Sequence, residues 1–182
     1  KPDIIFNLAA RTDLDGKNIV DYSANTTGVL NLIQAFKKLL IKPKVIFTSS
    51  MLVCKLGYQP KDENDYCPEN AYGISKVQGE KIVHSEMNCE YEWVIVRPIS
   101  IWGPWNGSPY KAFFESVKNG WYIHPEGQCV LRNYGFVLNT IKQLDCISNV
   151  LGSKRTSFTI YLGDYKPIDI FTWANSIQRE LG

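Results

Sequence analysis

VIFTSS (residues 45–50) and, after a long polar stretch, AYGISK (residues 71–76) decide how this chain folds. The first is a continuous apolar run closing on hydroxyl side chains, the pattern of a strand buried on both faces in a parallel sheet. The second opens a segment that reads as a helix from about Ala71 to Met87. Two more continuous apolar runs, Asp3 to Leu8 and Trp93 to Arg97, read as strands of the same kind. Between the first two strands lies a helix from about Asn18 to Leu40, with Val29, Leu32, Ile33, Phe36 and Leu40 on one face and Pro43 as its stop. Strand, helix, strand, loop, helix, strand, joined by right-handed crossovers, makes an α/β protein with a partial doubly wound (Rossmann-like) parallel sheet.

Beyond Pro98 the pattern changes. Gly103, Pro104, Gly107 and Pro109 mark a loop, and helices are expected near Tyr110 to Lys118 and Asn139 to Leu151. Residues 1–98 are therefore expected to form part of the sheet domain, and residues 99–182 mainly a smaller C-terminal lobe. To that lobe the chain adds a returning strand, Ser157 to Leu162, and a helix begun by Pro167, Ile168 and Asp169 that ends near Leu181. Internal repeats and low-complexity tracts are absent from the sequence.

Composition narrows the function classes. With 182 residues, 45% of them apolar, and a net charge of +2, the chain has enough material for a substantial core and no basic stripe for nucleic acid. The like-charged pairs Lys37-Lys38 and Lys154-Arg155 read as solvated surface. Five cysteines, odd in number and without CxxC spacing, imply neither a disulfide framework nor a zinc site, so reduced, partly buried thiols are expected. The longest apolar run, Ile4 to Ala10, is too short for a membrane span and wrongly flanked for a signal peptide, which leaves a cytoplasmic setting as the expectation.

The two opening segments also carry the chemistry. In a helix, residues four apart share a face, so Tyr72 and Lys76 stand side by side one turn apart. Ser50 lies just past the carboxyl end of a strand, where open α/β sheets bind ligands. A hydroxyl, a phenol and an ammonium at that place form a proton relay, suited to oxidising an alcohol or reducing a ketone. Spacing alone is weak: with ten tyrosines, about one YxxxK match is expected by chance from composition. Position is what lifts Tyr72 and Lys76 above an ordinary helical pair. Arg97, just before Pro98, is equally well read as site support or as half of a structural ion pair. Trp102, Trp105, Phe113 and Trp121 read as lobe core ahead of stacking platforms, and His84 and His124 as surface or internally satisfied side chains.

Several motifs, in order, resemble the extended short-chain dehydrogenase/reductases of the sugar-nucleotide epimerase/dehydratase family from Lys1 to about Val137. DIIFNLAA (Asp3 to Ala10) is similar to the family's HLAA stretch, with Asn7 in place of His. NTTG (Asn25 to Gly28) is similar to NVxG, TSSMLVC to TSSxxVYG, YGISK to the YxxxK core, VRPISIWGP to RPxxxYGP, and LRNYGFV to RDFxxV. The resemblance implies catalytic roles for Ser50, Tyr72 and Lys76. It implies NAD or NADP, with NAD favoured, held by Leu8, Ala9, Ala10, Asn25, Ser49, Tyr72, Lys76, Pro98, Ile99 and Ser100. It implies a nucleotide-sugar substrate touched by Ser50, Met51 and Arg132, no metal, and a homodimer through the helices at 18–40 and 71–87.

Three departures qualify this. Val53-Cys54-Lys55 stands where the family carries VYG, and Val137-Leu138-Asn139 where it carries VDD. Met51 and Leu52 occupy positions where dehydratases of the family have an acid pair, which ranks dehydration below epimerisation or simple dehydrogenation. No GxxGxxG is present either, and the chain opens directly at what resembles the family's fourth strand. Two βα units, about sixty residues, are therefore expected to be missing, leaving the Asp3 to Leu8 edge unpaired and the isolated 182-residue chain prone to associate and to bind dinucleotide weakly. The rival expectation is a truncated, inactive member of the family acting as a binding or assembly module.

Overall fold

The structure, a computed structural model, describes residues 2–87, 90–125, 127–151, 157–164 and 166–181. Cys89, Lys154 and Arg155 lie outside them. In chain order the elements are β1 (Ile4–Asn7), a 3-10 turn (Ile19–Asn25), α1 (Thr27–Lys37), β2 (Lys44–Thr48), a short 3-10 turn (Met51–Val53), α2 (Ala71–Glu86), β3 (Trp93–Pro98) and β4 (Ser100–Trp102). There follow α3 (Tyr110–Lys118), β5 (Leu131–Arg132), β6 (Tyr134–Phe136), α4 (Val137–Val150), β7 (Ser157–Leu162), β8 (Ile168–Asp169) and α5 (Ile170–Leu181). None of the described helices is long and apolar enough to cross a membrane.

The chain divides into two compact units: residues 1–98 with 143–162, and residues 99–142 with 163–182. In the first unit the strands lie in the order β1, β2, β3, β7, all parallel, as the α/β, doubly wound reading requires. The continuous apolar runs are explained by cover on both faces. Val45, Phe47, Trp93 and Ile95 pack against Val29, Ile33 and Phe36 of α1 and Val83 of α2. The alternate residues Ile46, Val94 and Val96 pack on the other face against Ile147 of α4, Leu151 and Leu162. β1 is the edge of this sheet and is less buried than its apolar sequence suggests: Phe6 is 40% and Leu8 58% exposed.

The single helix expected over residues 18–40 is in fact two elements. Tyr22 leaves helical geometry at φ −109°, ψ 32°, and the break at Thr26 has φ −120°, ψ −81°. Two side chains of the first element, Tyr22 and Asn25, are buried. Asn18 starts the turn with a capping box, accepting from the Val20 and Asp21 amides while Asp21 accepts from its own. α1 ends at Lys37, and Leu40, expected on the buried face, is fully exposed. Residues 38–43 instead turn the chain into β2, where the Lys44 amide donates to Asp3 O at 3.0 Å.

The second unit holds short strands that carry no readable periodicity. β4 pairs in parallel with β6, and β5 antiparallel with β8. Asp169 caps α5, accepting from the Thr172 amide at 3.0 Å. The core of this unit is aromatic: Trp102 packs on Phe114, Phe136 and Trp173, and Phe113 on Phe114, Tyr122 and Trp173. Trp105 and Trp121, expected in the core, are exposed. Trp105 sits in the turn after Gly103 and Pro104 with φ 64°, which turns its side chain outward.

Candidate active site

The candidate residues of the first unit gather at the carboxyl end of β2. Ser49 continues the pairing of β2 with β3, its amide donating to Val96 O at 2.8 Å. Ser50 then leaves the sheet in an extended conformation and caps the turn at Met51–Val53, with Oγ accepting from the Leu52 amide at 3.1 Å. Asn70 starts α2 by accepting from the Gly73 amide at 2.8 Å, so Tyr72 falls in the first helical turn and Lys76 one turn later. Gly73 permits this close approach, because a Cβ there would lie 2.3 Å from Leu52 O.

Ser50, Tyr72 and Lys76 are all buried, as is Ser49. The Lys76 Nζ donates to Thr48 O at 2.9 Å and lies 5.8 Å from the centroid of the Tyr72 ring. Burial raises the Tyr72 phenol above its ordinary range, while its side-chain interaction with Ser50 pulls it back. Burial also brings the Lys76 amine down to about 8, against the opposing charge of Glu80. Within this chain desolvation is the largest influence on the phenol.

Asn25 is the tie that holds this corner. Its Oδ1 accepts from the Arg11 amide, and its Nδ2 donates to Arg11 O and to Ser75 Oγ, each at 3.0 Å. Ser75 Oγ in turn donates to Tyr72 O at 2.6 Å. The segment after β1 and the first turn of α2 are thus fastened through one buried amide.

The remaining sequence candidates are more scattered. Leu8 and Ala9 are exposed at the carboxyl end of β1 and Ala10 is half-buried. Met51 follows Ser50 in the short turn, and Pro98 closes β3. Ile99 and Ser100 belong to the second unit, where Ser100 pairs with Tyr134. Arg132 is exposed there in β5.

Arg97 is resolved as a structural residue. At 1% exposure it grips Glu80 with Nε to Oε1 at 2.9 Å and Nη2 to Oε2 at 2.7 Å. It also donates to Glu63 O at 2.6 Å and to the Tyr161 hydroxyl at 3.3 Å, and Tyr66 OH donates to Glu80 Oε2 at 2.9 Å. Burial works against the guanidinium's charge, but Glu80 and Tyr161 outweigh it and the net pKa direction is up.

Sequence reasoning missed a cavity of about 390 Å³ in the second unit, walled by Tyr110, Tyr122, His124, Tyr134 and Trp173 among others. His124 is satisfied on both ring nitrogens, by Tyr122 OH and Gln128 O, each at 2.8 Å. These residues come from four separate stretches, and only the density of aromatics beyond residue 100 hinted at them.

Three groups bear on a cofactor at the β2 end. Thr48 Oγ1 and Ser49 Oγ are buried without a hydrogen-bond partner among the described residues, and both residues line, with Lys76, a crevice also lined by Ala9 and Asn25. Buried hydroxyls left unpaired in this way are groups that a polar ligand or an ordered water completes.

A parallel sheet with helices on both faces and polar groups at its strand ends places the chain among the doubly wound α/β proteins. Within that class the chain belongs to the NAD dependent epimerase/dehydratase family, whose model matches residues 1–123. It is 29% identical over 146 residues to N-acetyl-alpha-D-glucosaminyl-diphospho-ditrans,octacis-undecaprenol 4-epimerase of Escherichia coli O157:H7, covering 77% of this chain and 44% of that protein. It is 29% identical over 127 residues to UDP-glucose 4-epimerase of Vibrio cholerae, covering 64% of this chain and 38% of that protein. Among solved structures, UDP-glucuronic acid 4-epimerase from Bacillus cereus in complex with NAD shares the fold with a TM-score of 0.76 at 22% identity, over 98% of this chain and 59% of that one. The chain spans less than half the length of the curated relatives it matches.

The buried lysine makes a measurable demand on stability. With a folded pKa of about 8 against 10.5, the unfolded chain binds more protons between those values, so this group's contribution to stability rises with pH through that window. Below about 8 both states are charged and the full penalty stands, about 3 kcal/mol at 1.36 per unit. Denaturant unfolding of the full-length protein and of Lys76→Met at pH 7 and pH 10.5 is expected to show the wild type gaining on the variant by about that amount. Parallel pH profiles would rule out the depressed amine.

Proposed function

We propose that this chain carries the catalytic centre of an NAD-dependent epimerase acting on a nucleotide-linked sugar, with inversion at C4 as the reaction. The observation that carries the reading is the convergence of Ser50, Tyr72 and Lys76 at the carboxyl end of β2, with Lys76 Nζ 5.8 Å from the Tyr72 ring. Relatives that are 4-epimerases support inversion over net oxidation.

In this reading Ser50 holds the substrate hydroxyl by hydrogen bonding and Tyr72 removes its proton. Leu8, Ala9, Ala10, Asn25, Ser49, Lys76, Pro98, Ile99 and Ser100 would hold the cofactor, NAD ahead of NADP. When bound, the nicotinamide cofactor supplies the hydride acceptor for oxidation and the hydride donor for the return step. Tyr72 gives the proton back to the keto-sugar oxygen as the hydroxyl re-forms on the other face. A tyrosine working near neutrality needs about 4 kcal/mol of preference for its phenolate, and burial of Tyr72 adds to that demand. Lys76, with its amine at about 8, is still largely protonated at neutral pH and puts a positive charge 5.8 Å from the Tyr72 ring centroid. Met51 and, from the second unit, Arg132 are assigned to the substrate, Arg132 to its phosphate. The aromatic cavity of the second unit is suited to a flat ring.

The test is to incubate the full-length protein with NAD and UDP-glucose, UDP-glucuronic acid or their N-acetylated counterparts. The expected result is interconversion of C4 epimers without net NADH. Steady NADH accumulation would replace the epimerase by a dehydrogenase, and inertness toward all of them would leave a non-catalytic binding module.

A further inference from the structure

We propose that Cys54 and Cys67 form a redox modification site, closing into an intramolecular disulfide that straps the segment between Ser50 and Tyr72. Cys54 stands where the family motif carries an aromatic residue, a departure the proposed reaction does not use. The two cysteines face each other as direct partners in an isolated parallel β-bridge. The Cys67 amide donates to Val53 O at 3.0 Å and the Lys55 amide to Cys67 O at 2.7 Å, so backbone bonds on both sides of Cys54 hold the pair in register. Neighbouring parallel strands run about 4.8 Å apart, inside the roughly 4.4–6.8 Å Cα range of disulfides. Opposed residues of a parallel pair also project to the same side.

Their surroundings agree. The Cys54 Sγ donates to Asp65 O at 3.4 Å. Tyr58 packs against the cluster of Val53, Cys54 and Val77, and its hydroxyl donates to Asp65 Oδ1 at 2.8 Å. Cys54 is buried against Val53 and Val77 of α2, while Cys67 is half-buried. This difference in access sets the order of events.

The Cys67 thiolate attacks one sulfur of an oxidised low-molecular-weight disulfide such as oxidised glutathione, whose S–S bond breaks and releases one glutathione thiol. Cys54 then loses its proton and attacks the Cys67 sulfur of the mixed disulfide, forming the Cys54–Cys67 bond and expelling the second glutathione. Two protein thiols are oxidised and one small disulfide is reduced. Neither step involves the sugar-nucleotide reaction, so this proposal and the proposed function can fail separately.

The test equilibrates native full-length protein in buffers of reduced and oxidised glutathione, traps free thiols by alkylation, and maps peptides by mass spectrometry without reduction. The expected result is a peptide pair linked through Cys54 and Cys67, with Cys129 and Cys146, both exposed, still alkylated. The oxidised form is expected to melt about 5–10 °C above the reduced wild type, a shift absent in Cys67→Ser. A stable glutathione adduct on Cys67 with Cys54 still alkylated would overturn the proposal. So would a linked peptide that appears only after denaturation.

Discussion

The full-length protein carrying Tyr72→Phe is expected to lose about 10²–10⁴-fold in kcat on the proposed nucleotide-sugar substrate while folding normally, the range expected for removal of a positioned general base. Phenylalanine keeps the ring that packs edge-on against Tyr22, with centroids 5.9 Å apart. It also keeps the helix start that Asn70 and Ser75 define. Ser50 retains its bond from the Leu52 amide, so the strand end is undisturbed. What disappears is the oxygen proposed to take the substrate proton. KM should change far less than kcat, because the phenol's contribution is made in the transition state. Full activity in Tyr72→Phe would remove the proposed mechanism altogether, whatever the substrate.

The second large effect falls on stability. Arg97→Met should cost about 3–5 kcal/mol in denaturant unfolding, the penalty for stranding one member of a buried ion pair. Glu80, 2% exposed, would keep only the Tyr66 hydroxyl as a partner from the present set, and Glu63 O and Tyr161 OH would each lose a donor. The double variant Arg97→Met/Glu80→Leu should recover most of that loss, since apolar replacement of a whole buried pair is often close to neutral. The site registers the change as well. Glu80 lies one turn beyond Lys76 in α2 and holds its amine pKa up against burial, so removing the carboxylate should lower the Lys76 pKa further. A single variant that unfolds at the wild-type denaturant midpoint would show that the pair contributes nothing.

Local pattern was enough for much of the architecture. The strands at Trp93 and Ser157, the helix at Tyr110–Lys118 and the start of α2 at Ala71 could be read directly, because each is set by a continuous apolar run or a 3.6-residue period together with its flanking turn residues. The break at Thr26 could not. The Asn25 side chain, at the end of the 3-10 element, is bonded to Arg11 and Ser75, and neither contact has a local signature. β4, β5, β6 and β8, at two or three residues each, are too short for any periodicity to show.

By itself the sequence determined the parallel-sheet class and the placing of Ser50, Tyr72 and Lys76 around a strand end and a helix start. Those features rest on short-range spacing and on which side chains avoid water. Only the tertiary structure decided that Arg97 belongs to a buried network with Glu80, that Cys54 faces Cys67, and that burial drives the phenol up and the lysine down. Each of those depends on how much solvent is excluded and on which groups from distant segments replace it, quantities set by packing in three dimensions and not by order along the chain.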